Sequence, residues 1–592
     1  MMMNRYLNIL IIAVLGWGLI TSCEKLEFGN NYLEKEPGVD VTIDTIFNSV
    51  ELAERFLWGA YSTLPYGLNL NWDANRDKLG MDLLESLTDL NQSYLAWGGA
   101  NQLYYNGQYS PSIENESSET KYHYTKENSW VGIRKAWIFI ENAHRVPDAP
   151  QEHLDQLKAE ALMVVALHYT ELFRHFGGLP WVNRAFYPGD DTNLPRMTAR
   201  ATLDSITSLI DRAIPLLPWT IEDVENWDGR FTRAGAMGLK ARLLLFGASP
   251  LFNDDLPYLE GTASVEEMTW YGSYDPALWN DAAAAAKELI DAIDANGAYQ
   301  LVSTGDYRQD FQDAYYNRAN GEVLISIRSR YQSPGHKWDR SYYFYQSAGN
   351  YGTACPTQEY VDMFGMADGT PIDESLLYDP NDPLVNRDPR LYETVLVNGD
   401  SYQGRTAELW LGGKERKTTA FKGTSSGYGL KKFLLEQDAA TIFSSVVHWP
   451  HLRLPEIYLS YAEALSESSG GPTAEAYTYV NIVRQRVGLS DLPAGLSQEE
   501  FRAAVLRERA CEFGFEEVRW FDLVRWKQKE LFTMPLHGTN TFDNGDGTFT
   551  YELFEMPARY WRDHWSPRWY LSAFPPDEVN KGYGLVQNPG WE

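Results

Sequence analysis

Residues 154–176 read Leu154-Asp155-Gln156-Leu157-Lys158-Ala159-Glu160-Ala161-Leu162-Met163-Val164-Val165-Ala166-Leu167-His168-Tyr169-Thr170-Glu171-Leu172-Phe173-Arg174-His175-Phe176. Within them Leu154, Leu157, Ala161, Val164, Val165, His168, Leu172 and Phe176 recur three and four apart, which lays one continuous stripe along a helix of 3.6 residues per turn. Gly177-Gly178 and Pro180 then end it. The same rhythm runs over about 51–63, 130–146, 201–217, 233–248 and 277–295, and returns at 453–468, 473–488 and 497–530. The last block opens on Ser497-Gln498-Glu499-Glu500, a capping box in which Ser and Glu satisfy free amide donors. Its stripe includes Ala503, Leu506, Ala510, Phe513, Trp520 and Leu523. Short helices joined by tight turns predict a mainly α protein of tetratricopeptide-like helix pairs. The 34-residue consensus of such repeats is absent, so the repeats are degenerate.

Two stretches depart from this rhythm. Residues 65–128 carry Trp72, Tyr94, Trp97, Tyr104, Tyr105 and Tyr109, and residues 297–450 are richer in Gly, Pro, Asp, Asn and Tyr, with a strand-like piece at 322–327. Long loops in a compact chain are functional or disordered, and the aromatic content argues against disorder. A few short strands are expected there. In the tail, 531–592, Asp543-Asn544-Gly545-Asp546-Gly547 lies between apolar residues and reads as a hairpin. Calcium-loop spacing fails, because with Gly545 at the sixth position the third would be Phe542.

At the N-terminus Arg5 precedes the apolar run Ile9–Ile20 and then Thr21-Ser22-Cys23. That run is too short for a bilayer, which needs about 20 residues, and has the layout of an export signal. The Cys directly after small residues resembles a bacterial lipoprotein signal, with 1–22 removed, Cys23 lipidated and 23–50 an extended tether. The other thiols, Cys355 and Cys511, fit no C-x-x-C or zinc spacing. Two buried free thiols are expected, though an exported compartment permits a bridge.

The 592 residues carry 81 acidic and 51 basic side chains, a net charge of −30 that becomes −31 once Arg5 is removed. A phosphate backbone requires a basic footprint, so nucleic acid is disfavoured as a partner. Catalytic signatures are weak. His168, Glu171 and His175 share one side of a helix, but there is no H-E-x-x-H motif, and a packed His with a surface ion pair is the plainer reading. No G-x-S-x-G elbow or phosphate-binding glycine loop occurs. Glu508, Glu512, Glu516 and Glu517 interleave with Arg507, Arg509 and Arg519, a pattern of solvated or structural ion pairs more than of a catalytic pair. No metal or other cofactor is expected, and no enzyme is demanded.

The aromatic surplus, 14% with 20 Trp and 37 Tyr, needs a reason. Residues 331–351 hold Tyr331, Trp338, Tyr342, Tyr343, Phe344, Tyr345 and Tyr351 without helical spacing. Such rings either fill core or stack on the apolar faces of sugars while a hydroxyl or indole N–H stays polar. Trp72, Trp97, Asn101, Tyr331, Trp338, Tyr343 and Tyr345 are therefore the candidate ligand residues, with Arg76 as partner of a hydroxyl or carboxylate.

Motifs along nearly the whole mature chain carry a resemblance. They include Trp130 with Ile140-Glu141-Asn142-Ala143, then Phe176-Gly177-Gly178-Leu179-Pro180, Gly229-Arg230-Phe231-Thr232-Arg233 and Asp388-Pro389-Arg390-Leu391. The C-terminal part adds Arg453-Leu454-Pro455-Glu456-Ile457-Tyr458-Leu459, Arg519-Trp520-Phe521-Asp522-Leu523 and Gln587-Asn588-Pro589-Gly590-Trp591. In order and number these resemble the SusD/RagB family of outer-membrane nutrient-binding lipoproteins of Bacteroidota. The family often has an Arg after Glu160-Ala161, where this chain reads Met163-Val164-Val165-Ala166, and Trp591 stands where Tyr or Phe is common.

The resemblance implies a SusD-like domain over 51–592, with helical repeats at about 51–63, 130–296 and 453–530 and an irregular ligand-binding part at about 65–128 and 297–450. It implies an outer-membrane, surface-exposed lipoprotein anchored through Cys23, and a SusC-like TonB-dependent transporter as partner. The family's ligand residues follow no fixed motif, so none transfers. The expected function is non-catalytic capture of an oligosaccharide for that transporter. Peptide capture, a surface-tethered glycosidase and a scaffold binding only the transporter are the alternatives.

Overall fold

The computed structural model describes residues 42–68, 78–80, 82–96, 98–116, 119–126, 128–328, 352–402, 404–416, 423–434 and 448–592. The periodic stretches form α1 (Val50–Tyr61), α2 (Ser129–Asn142), α3 (Gln151–Phe176), α4 (Ala199–Ala213), α5 (Arg233–Ala248), α6 (Ala277–Asn296), α7 (Leu454–Ser469), α8 (Ala474–Arg486) and α9 (Gln498–Phe513). Each packs on the next in sequence, and α6 packs on α7 although 157 residues of chain intervene, so the two helical blocks make one continuous array. Leu154, Leu157, Ala161, Val164, Leu172 and Phe176 of α3 are buried as the stripe predicts. Gly177 ends α3 with φ +79°, a conformation that costs glycine little, and its N–H bonds Phe173 O at 2.9 Å.

Two sequence expectations change. The block 497–530 is not one helix: α9 stops at Phe513, and α10 (Arg519–Arg525) follows a turn in which Phe515 and Glu517 take positive φ. The apolar stripe runs through this break, so periodicity could not reveal it. The stretch read as tether also ends early. Ile43–Ile46 forms a helical turn capped by Thr42, and Phe47 is buried against Phe56 and Phe139.

Strand β1 (Val323–Arg328) pairs antiparallel with β2 (His448–Arg453), Arg328 opposite His448 and Val323 opposite Arg453. This ribbon packs on α5. The tail forms the expected hairpin of β3 (His537–Asp543) and β4 (Phe549–Glu555). Cys355 and Cys511 are buried free thiols.

The acidic run of α9 faces inward. Arg453 reaches Glu516 at 2.7 Å, Glu512 at 3.0 Å and Glu322 at 2.6 Å, Arg486 reaches Glu512 at 2.6 Å, and Arg390 reaches Glu508 at 2.6 Å. Burial alone would raise the Glu512 carboxyl, but three guanidiniums hold it well below the usual range. These pairs join α9 to β2, α8 and the segment carrying Arg390, and are worth more as constraints on register than as net stability.

Candidate functional site

Aromatic side chains divide into two populations. In the interior, Tyr104 and Tyr109 stack with centroids 5.1 Å apart, Trp561 lies 5.3 Å from Trp569, and Trp569 meets Trp591 edge-on at 5.0 Å. Trp561 and Trp569 are each 1% exposed, so these rings are core. The wide helical turn Ala100–Tyr105 supplies Tyr104, and Asn101 on that turn donates from Nδ2 to Ser93 O at 2.9 Å. Asn101 is the candidate ligand residue within the described chain. Trp72, Arg76, Trp97, Tyr331, Trp338, Tyr343 and Tyr345 lie outside the described residues, as does Cys23.

The second population faces water. A cleft of about 450 Å³ opens between the end of α1, the loop before α5 and the end of β1, lined by Trp58, Tyr61, Trp227, Arg230, Ser326 and Arg328 among others. Its volume falls within the roughly 300–1,000 Å³ of small-ligand sites. Trp58 and Trp227 sit 5.7 Å apart at 33°, and Trp227 is 44% exposed. Trp58 and Tyr61 come from one turn of α1, and Trp227 ends the short helix Val224–Trp227. Gly229 then turns the chain with φ +92°, where a Cβ would stand 3.1 Å from Ser326 O. This lets the loop close onto β1 and carries Arg230 back beneath the indoles.

Below the rings the polar groups are paired. Arg230 forks onto Glu160, Nη2 to Oε1 at 2.5 Å and Nε to Oε2 at 3.2 Å, with its guanidinium 5.2 Å from the Trp58 ring. Burial works against the Arg230 charge, but Glu160 more than offsets it and raises its pKa. Tyr61 donates to Glu160 at 2.8 Å and accepts from Phe231 N–H at 3.1 Å. Burial and then the Glu160 charge push the phenol far above its ordinary value, so it stays a neutral donor. Arg328 meets the buried Asp228 at 3.1 Å. Ser326 Oγ is 2.8 Å from Nδ1 of His448, whose pKa burial lowers to about 4. The arrangement offers a rigid aromatic face with hydrogen-bonding groups at its edge. Its carboxylates, Glu160 and Asp228, are both committed to guanidiniums, unlike a general acid held neutral.

The helical trio resolves as packing. His168 Nε2 is 2.9 Å from Thr63 Oγ1, and His175 stacks on Tyr122 at 4.4 Å. Glu171 pairs with Arg174 at 3.2 Å, in the interior where a surface pair was expected, because α3 is enclosed along this length. Among the described residues no group of three or more His, Cys, Asp or Glu could hold a metal ion.

Residues 321–591 match the model of the SusD family, and residues 31–245 match a model described as starch-binding associating with outer membrane. The chain belongs to the SusD/RagB family. A SusD-like protein P2 of Formosa agariphila is 40% identical over 83 residues, spanning 13% of this chain and 16% of that protein. A SusD-like protein of Bacteroides ovatus is 34% identical over 76 residues, 13% of each. Because these stretches are short, they support the family more than any shared ligand. In solved structures, a SusD-like protein from Bacteroides fragilis superposes with TM-score 0.71 at 23% identity, covering 92% of this chain and 98% of that one. A surface glycan-binding protein A from Bacteroides uniformis superposes at 0.59 with 17% identity, covering 91% and 99%. These likenesses confirm the SusD-like fold: mostly helical, with few short strands.

Sequence reading missed Trp58, Tyr61, Trp227 and Arg328, and met Arg230 only as part of the Gly229–Arg233 motif. Its signal was Asn226-Trp227-Asp228-Gly229-Arg230, where an indole stands among turn residues outside any stripe.

Proposed function

We propose that this SusD/RagB protein is a non-catalytic receptor that captures an oligosaccharide at the outer membrane and passes it to a SusC-like TonB-dependent transporter. The observation that carries the reading is the Trp58–Trp227 pair, two indoles held over an open cleft with one 44% exposed. An exposed indole costs solvation unless a ligand covers it, and the flat apolar face of a pyranose ring suits it. Arg328 at the edge supplies donors for hydroxyls.

Sequence continuity is the argument for a wider platform. Arg328 lines the cleft and immediately precedes 329–351, home of Tyr331, Trp338, Tyr343 and Tyr345; Leu64 lines it eight residues before Trp72. With Arg76, Trp97 and Asn101 these remain the proposed outer contacts. The signal 1–22, the Cys23 lipid anchor and the surface location belong to the same proposal, supported by the layout of residues 5–23 and by the outer-membrane association of the matched model. Among the described residues no helix is long and apolar enough to cross a membrane.

Calorimetric titration of the mature protein with a glycan panel tests the reading. It predicts binding to at least one oligosaccharide, weakened by Trp227→Ala, with no shortened product released. Binding untouched by that substitution contradicts the assigned cleft, and hydrolysis contradicts a non-catalytic role.

A further inference from the structure

The polar end of the cleft is not electrically balanced. Arg318 forks onto Asp228, Nη2 to Oδ1 at 2.5 Å and Nε to Oδ2 at 3.1 Å, and Arg328 places Nη2 3.1 Å from the same Oδ1. Among the described residues, two guanidiniums therefore stand side by side on one buried carboxylate, one positive charge more than it neutralises. Their other contacts among the described residues are to backbone carbonyls, Arg318 to Glu225 O at 3.2 Å and Arg328 to Asn226 O at 2.8 Å. Nη1 of Arg318 and Nε of Arg328 have no partner among the described residues, and the side chains are 29% and 38% exposed. The neighbouring Arg230 is neutralised by Glu160, so it adds nothing to this surplus.

The other end has the opposite sign. Glu222 and Asp223 are exposed and line the adjoining hollow with Trp219 and His153. The cleft thus runs from acidic at Trp219 to basic at Arg328, across the Trp58–Trp227 face. On a chain of net charge −30 a local positive excess is unusual, and charges beyond about 8 Å are largely screened at physiological salt. A guanidinium fork fits planar or tetrahedral oxyanions in a way that hydroxyl recognition does not require.

We propose that the cleft selects a glycan bearing a fixed anionic substituent, a carboxylate or a sulfate ester, seated against Arg328, whose charge the Arg318–Asp228 pair leaves uncompensated, while its ring stacks on Trp58 and Trp227. This rests on the receptor reading above. The sign gradient also sets direction, with the anionic group at the β1 end and neutral units toward Trp219.

The test is a calorimetric comparison of matched pairs: uronic-acid oligosaccharides against their carboxyl-reduced forms, and sulfated oligosaccharides against their desulfated forms. The acidic member is expected to bind at least about tenfold more tightly, the increment of roughly 1.4 kcal/mol that a charge-assisted pair supplies. Arg328→Gln should abolish that preference, bringing the acidic member's affinity down to that of its neutral counterpart, and Arg328→Lys should restore part of it. Raising salt should erode the acidic affinity alone. The two arms tell which oxyanion is read. Binding of neutral members as tight as acidic ones, or a preference that survives Arg328→Gln in a protein of unchanged Tm, overturns this inference and leaves the receptor reading intact. Absence of binding to every glycan overturns both.

Discussion

The Tyr104–Trp569–Trp591 cluster and the Trp58–Trp227 pair are built from the same chemistry and do opposite things. In the cluster each ring finds protein on all sides; Trp591, for example, donates to Arg568 O and Leu571 O, both at 3.0 Å. The tail is tied there too, with Asn588 donating to Phe176 O at 3.1 Å and Ser572 O at 2.8 Å. In the cleft the indoles are supported from one side by Arg230, Glu160 and Tyr61, and their other face is left to solvent. The difference teaches that support, more than composition, separates a core ring from a binding ring: the cluster stabilises the fold, and the pair is positioned by it.

The largest effect should come from breaking the interior side of this contrast. Trp569→Ala removes a ring that touches Tyr104, Tyr109, Trp561 and Trp591, and should cost about 3–5 kcal/mol, read as a lower denaturant midpoint. Glycan affinity of the fraction still folded should not change.

The interior also holds two carboxyls whose pKa values are raised. Burial raises the Asp82 carboxyl to about 7 and, with the nearby Glu517 charge adding to burial, Glu85 to about 8. Both folded values lie above the unfolded ones, so their contribution is fully present below about pH 4 and is lost as pH rises through 7 to 8. Stability should fall between pH 5 and 8 with a slope on the order of 1.4 kcal/mol per pH unit per group. Thermal melts of Asp82→Asn should show a shallower decline than the parent.

Glu160→Gln probes the boundary between the two regions. It removes the buried anion that holds Arg230 and Tyr61, and should cost about 1–3 kcal/mol of stability. Glycan affinity should weaken with it, since Trp58 loses its support. The smallest and most selective change is Trp227→Ala. Affinity should drop by about 1 kcal/mol, close to fivefold, while Tm stays within about 2 °C of the parent.

The helices were legible because burial imposes a 3.6-residue rhythm that the sequence records directly, as at Leu154 through Phe176. What went unread depends on contacts between distant residues. Phe47 is anchored by Phe56 and Phe139, which turns part of an apparent tether into domain. The break after Phe513 is fixed by tertiary partners, such as the Lys78–Glu517 pair at 2.8 Å. In the site, Tyr104, Tyr105 and Tyr109 look as loop-like in sequence as any ligand platform, yet the wide turn at Ala100–Tyr105 points them inward. Trp58 sits in a helix whose rhythm marks it as packing, and only the fold reveals that it caps an open cleft.

The central claim is that the outward indoles meet the sugar and the inward ones do not. Indole N–H resonances of the mature protein, assigned by Trp-to-Phe substitution and followed during titration with a bound oligosaccharide, test it most directly. The account predicts that the signals of Trp58 and Trp227 shift in proportion to occupancy while those of Trp561, Trp569 and Trp591 stay in place. Saturable binding that leaves Trp58 and Trp227 unmoved would contradict it.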